Sequence, residues 1–202
     1  PSAIFMLTYR LLSTISFHIF QTIWSVSLRD RFQFGPQDYG RFFSMYGLFL
    51  ALSQGFFSKF LLRLFQGETH RGRVRLLATA TFAVGFIRYL SVQTSNLAAV
   101  YVLHATLATA LGVISTVFNA DLAQIAAPEE LGSFFGLIAA VESGAGMAGP
   151  LVGGALSYVH PTAAPLLAVA SLSGIVFCMV IFGYERVVLQ NLQNRSQAKK
   201  EA

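Results

Sequence analysis

Four side chains in this 202-residue sequence stand where polar chemistry is expensive: His18, Gln21, Gln54 and Glu142 all lie inside long apolar stretches. Lipid offers no hydrogen bonds, so groups of this polarity must face a protein interior or a wet cleft. Their neighbours follow the helical period. Thr14, His18, Gln21 and Ser25 are four, three and four residues apart and form one polar stripe, which Ser44, Gly47, Ala51, Gln54 and Ser58 repeat. Thr109, Gly112, Thr116 and Asn119 offer a third. Three helices with polar or small seams can line a common aqueous path, with His18, Gln21, Gln54, Thr109 and Asn119 as candidates for contacting a solute. The competing explanation is that small and hydroxyl residues simply let helices pack closely.

Glu142 invites a different chemistry. It precedes Gly146, Gly149 and Gly153 by four, seven and eleven residues, so it shares their face and points into the bundle. A carboxyl at that depth is costly to ionise, and such a group can take up and release a proton reversibly, as a proton-coupled transporter requires. The alternative is a structural carboxyl hydrogen-bonded between helices. Catalysis lacks its usual parts: there is no His-Glu-x-x-His, no Gly-x-Ser-x-Gly and no pair of mid-span aspartates. No enzyme is expected. The lone Cys178 excludes a disulfide framework or a cysteine-ligated metal site and reads as an inert packing residue, so neither metal nor cofactor is expected.

The elements that must position these residues are membrane spans. Hydrophobic residues make up 54% of the chain and charged ones only 11%, against about 25% charged in soluble domains. A hydrocarbon core of roughly 30 Å needs about 20 apolar residues per helix, and six stretches qualify, near 4–28, 40–62, 74–93, 97–119, 133–158 and 163–184. None alternates as a barrel strand would. The expectation is an all-α membrane protein with a six-helix bundle over 1–185 and a polar tail over 186–202. No cleavable signal is evident. A chain opening on Pro1 reads as a fragment or a processed piece.

A net charge of +5 does not make this a nucleic-acid binder, because the basic residues follow topology rather than one patch. Lys59, Arg63, Arg71, Arg73 and Arg75 follow the second span, and Arg186, Arg195, Lys199 and Lys200 follow the sixth. The excess of positive charge places both breaks, and so both chain ends, in the cytoplasm. Arg10 and Arg88 are expected near membrane edges with snorkelling side chains. Trp24, Tyr39, Tyr89, Tyr101 and Tyr158 are expected as interfacial anchors, with His104 close to the same surface.

The fifth span is Gly136-Leu-Ile-Ala-Ala-Val-Glu-Ser-Gly-Ala-Gly-Met-Ala-Gly-Pro-Leu-Val-Gly-Gly154. Its small residues let a neighbouring helix approach at backbone distance, and Pro150 removes a backbone donor and bends the helix. Gly136, Ala145, Gly149, Pro150, Gly153 and Gly154 resemble the glycine-rich antiporter motif of the major facilitator superfamily, with alanine at its second glycine; Gly146 adds to the same small face. Asn119-Ala-Asp-Leu with Pro128-Glu-Glu-Leu-Gly is similar to the family's link between helices ten and eleven. Arg63, Gly67 and Arg71-Gly-Arg73 resemble its loop-two motif. Thr22-Ile-Trp24, Asp30-Arg-Phe32 and Ser53-Gln54 are similar to the tetracycline/proton antiporter branch, although that branch's ninth-helix acid and eighth-helix histidine fall on Phe82 and Leu50.

The resemblance implies one half, helices seven to twelve, of a twelve-helix major facilitator fold. Its implied partners are the lipid bilayer, an N-terminal six-helix half, a small organic solute and protons, with no nucleic acid. It further implies alternating access, with Gln54 contacting substrate and with Asp121 pairing to Arg71 or Arg73 as a conformational gate. Proton-coupled antiport is the expected mode; the alternatives are a uniporter or symporter of the same fold, or a non-transporting membrane scaffold.

Overall fold

The computed structural model describes residues 2–67, 69–125 and 130–190. Six helices carry the chain: α1 Ser2–Phe32, α2 Pro36–Leu64, α3 His70–Gln93, α4 Leu97–Ile125, α5 Leu131–Val159 and α6 Ala163–Leu189. Each is long and apolar enough to cross a membrane, and there are no strands among the described residues. The expected spans match these helices in number and order, and the helices extend beyond them by up to a turn or more. The sixth runs past the boundary at 185, through a π-helical stretch, Met179–Leu189. The polar residues from 191 to 202, with Arg195, Lys199 and Lys200, lie outside the described residues, as do Pro128 and Glu129.

Short polar signals start the helices. Pro36 sits at the first turn of α2, where its missing N–H costs nothing, and Asp38 accepts the Gly35 amide at 3.1 Å. Thr69 caps α3 by accepting from the Gly72 amide at 3.0 Å. Asn96 accepts the Ala98 amide at 2.9 Å ahead of α4, and His160 Nδ1 accepts that of Ala163 at 3.0 Å ahead of α6. At the far end of α1, Arg31 donates to the carbonyls of Val92 and Thr94 and so ties α1 to the C-terminus of α3.

Packing is most extensive between α1 and α5, then between α2 and α4; α3 lies against α4 and α6, and α1 against α6. The α1–α5 seam shows what the glycines are for. A β-carbon at Gly149 would collide with Cβ of His18, and one at Gly153 would meet Cα of Ile19 at 3.5 Å. Gly146 faces the His18 ring. A β-carbon at Gly136 or Gly154, expected in the same packing role, would meet no other helix within 4 Å, and Pro150 is exposed. A helix whose glycines occupy more than one face cannot seat them all against a single neighbour.

The second close crossing is between α2 and α4. A β-carbon at Gly112 would stand 2.6 Å from Ser53 Oγ, which donates to the Thr109 carbonyl at 2.6 Å. Here α2 relaxes into a π-helical turn, Ser53–Phe57, and Ser58 Oγ closes on the Ser53 carbonyl at 2.6 Å. A hydroxyl that competes for a carbonyl inside a helix favours such a widened turn.

Three helices keep a broad face uncovered. Leu48, Leu52, Phe56 and Phe60 on α2, Met147, Leu151 and Tyr158 on α5, and Leu167, Ile175 and Phe182 on α6 are all exposed large hydrophobics. Cys178, expected to pack inside, is also exposed. It lies on α6 two residues after the buried Val176, and that offset turns it away from the core face.

Candidate functional site

A cavity of 350 Å³ opens between α1, α2, α3, α4, α5 and α6 near the middle of the bundle. Helix α1 contributes more of its wall than any other helix. Arg10, Ser13, Thr14, Phe17 and His18 occupy one side of that helix, which α5 approaches closely because its glycines carry no side chain. The π-helical turn in α2 places Gln54 in the wall, above Tyr46 and Leu50 two and one turns earlier. Ser115 of α4, Arg88 of α3 and Ser173 of α6 complete the polar lining.

The expected solute contacts divide. His18 and Gln54 converge on this cavity and so does Glu142, although they come from three helices. Gln21, Thr109 and Asn119 lie outside its lining. Thr109 is spent within and beside its own helix: its hydroxyl bonds the Ala105 carbonyl at 2.9 Å and its carbonyl receives Ser53. Asn119 reaches Ser115 Oγ at 3.5 Å, and Gln21 is half-buried with its carbonyl accepting from Ser25. A stripe of seven or more residues spans more height than one mid-membrane cavity.

Glu142 pairs with Arg10, whose Nε donates to Oε1. Arg10 therefore does not snorkel at a membrane edge as expected. Its side chain is 20% exposed, and Cζ lies 5.5 Å from the Phe118 ring centroid. A carboxylate on the facing helix offers a charged side chain a better partner than a distant headgroup layer. Arg88 departs further from the expectation, being 3% exposed. It donates from Nη1 to Ser16 Oγ at 2.9 Å and lies over the Phe20 ring, with Cζ 5.4 Å from the centroid. Its helical phase holds the signal: Leu77, Thr81 and Val84, also buried, precede it by eleven, seven and four residues.

A second polar cluster closes the bundle at one end. Asp121, fully buried, pairs through Oδ1 with Arg73 and accepts Tyr184 Oη at Oδ2. Arg73 also donates from Nε to the Gly67 carbonyl at 3.1 Å, so one guanidinium joins α3, the turn before it and α4. Arg71, the other candidate partner, is exposed. At the opposite end an aromatic cluster replaces the expected interfacial belt. Trp24 is 1% exposed and His104 is 2% exposed; their rings stack with centroids 4.6 Å apart, and Phe42 meets His104 edge-on at 5.0 Å. Trp24 is buried because its α1 face turns toward α4. Tyr39 and Tyr101 are half-buried, and Tyr39 donates to the Ser25 carbonyl at 2.6 Å. Tyr89 and Tyr158 remain exposed.

The family model described as the Major Facilitator Superfamily matches residues 6–201. A comparison with curated proteins finds no match.

Proposed function

The chain belongs to the major facilitator superfamily, a family of membrane transporters, and is an integral multi-pass membrane protein; from that premise we propose that it forms the second six-helix half of a twelve-helix carrier, which moves a small organic solute by alternating access in proton-coupled antiport. The single observation that carries this reading is the convergence of His18, Gln54 and the Arg10–Glu142 pair on one mid-bundle cavity. A scaffold has no need to gather polar side chains there. The uncovered faces of α2 and α5 suit a first half that rocks against them around the solute. The Arg73–Asp121–Tyr184 cluster then acts as the gate at the cytoplasmic end, holding one conformation until solute or proton binding favours the other.

In this cycle Glu142 takes up a proton, releases Arg10 and frees the cavity wall to rearrange. A second reading rests on the same contact: a pair that stays closed throughout leaves the carrier a uniporter. Solute flux in the complete carrier, measured against an imposed pH gradient with Glu142→Gln, separates the two. Antiport predicts that the variant loses the gradient dependence while still exchanging solute. Unchanged coupling removes Glu142 from the mechanism.

A further inference from the structure

Resting on the transport reading above, we infer that the solute is an organic anion whose charged group docks on Arg88. The cavity wall holds two guanidinium groups and one carboxylate. Glu142 is taken by Arg10, and no ion pair joins Arg88 to a carboxylate among the described residues. Arg88 has Ser16 Oγ on Nη1 and the Phe20 face beside it, but Nε has no hydrogen-bond partner among the described residues. A guanidinium buried at bilayer depth without a counter-charge is costly, and the deficit is made good by whatever brings a negative charge.

Arg88 is 3% exposed within this six-helix unit and lines the cavity, so a counter-charge reaches it by way of the cavity. The surrounding groups suit an anion. Thr14 and Tyr46 each bring a hydroxyl and Gln54 an amide, while the apolar remainder of the wall, including Phe17 and Val84, accommodates a hydrocarbon body. A carboxylate can meet the planar guanidinium through two parallel N–H donors, which a neutral or cationic analogue cannot match. The lining agrees with this polarity: Glu142 is its one carboxylate, and Phe82 is exposed, so no second carboxylate stands opposite Arg88 among the described residues.

The test uses the complete carrier purified in a neutral detergent and three probes of one shape, 1-naphthoate, 1-naphthamide and 1-naphthylamine. Calorimetry should detect naphthoate binding in preference to the other two. Arg88→Gln should weaken naphthoate about tenfold or more, the usual scale of a charge-assisted bond, and leave naphthamide unchanged, while Arg88→Lys restores part of the loss. Equal binding of the three probes, preference for the amine, or naphthoate affinity indifferent to Arg88→Gln overturns the inference. So does complete displacement of naphthoate by sodium chloride, which makes the site one for an inorganic ion. Displacement by phosphatidylglycerol added to phosphatidylcholine vesicles overturns it in favour of a lipid headgroup. If Arg88→Gln does not fold, naphthoate protection of a cysteine placed at Ser173, in a chain with Cys178 replaced by Ala, gives the same decision. Flux into liposomes separates this inference from the one beneath it. Naphthoate binding without flux keeps the anion site and removes transport, whereas flux of the amine or amide without naphthoate binding keeps transport and removes the anion.

Discussion

The two partners of the Arg73–Asp121 pair differ in what each would lose. Asp121 has no exposure, but the Arg73 side chain keeps 24% of its own and reaches toward solvent. Removing the arginine strands a buried carboxylate with only Tyr184 as donor, whereas converting the acid to an amide leaves every neighbour a partner. Arg73→Ala should therefore cost about 3–5 kcal/mol and Asp121→Asn distinctly less, as read by thermal unfolding of the purified carrier. Equal losses would show that Asp121 is not held by the arginine. At the cavity, Gln54 is exposed in this half and packs against little, so Gln54→Ala should change solute affinity and leave protein abundance near wild type. Parallel loss of both would make it a packing residue. Residue chemistry was half legible. His18, Gln54 and Glu142 announced themselves as polar groups in apolar runs, while Arg10, Arg88 and Trp24 were misplaced because a residue's distance along the chain from a span's end does not say which way its helix is turned.

At the scale of elements, the α1–α5 seam depends on small residues and the α2–α4 crossing on a hydroxyl. Gly149→Leu should separate α1 from α5, since even its first carbon overlaps His18 Cβ. The expected penalty is about 1–3 kcal/mol or more, with loss of solute binding measured in the same preparation. Gly154→Ala, in open space in this half, should leave that seam intact. Ser58→Ala removes the hydroxyl that closes the π-helical turn and should cost about 1 kcal/mol. If the turn aims Gln54, the variant should also weaken solute binding; unchanged binding would separate the two. The helices themselves could be read from hydropathy alone, because each needs only enough apolar length to cross the bilayer. The π-helical turn could not, since serines five residues apart occur in ordinary helices too, and only the folded chain shows Ser58 Oγ closing on the Ser53 carbonyl.

Over the whole molecule, the uncovered faces of α2 and α5 make a concrete forecast about assembly. In a chain with Cys178 replaced by Ala, cysteines at Leu48 and Met147 should cross-link to a first half and lose reactivity toward a membrane-permeant maleimide when that half is present. Labelling unaffected by its presence would place the companion half elsewhere. The sequence by itself determined that the chain is helical, that it has six spans and that a few polar side chains stand at membrane depth. Those properties follow from local composition and period, which lipid enforces residue by residue. Only the tertiary structure decided which of those side chains meet. Arg10 finds Glu142 across 132 residues and Arg88 finds Ser16 across 72, and such pairings depend on helix rotation and crossing, for which the period of one helix carries no information about another.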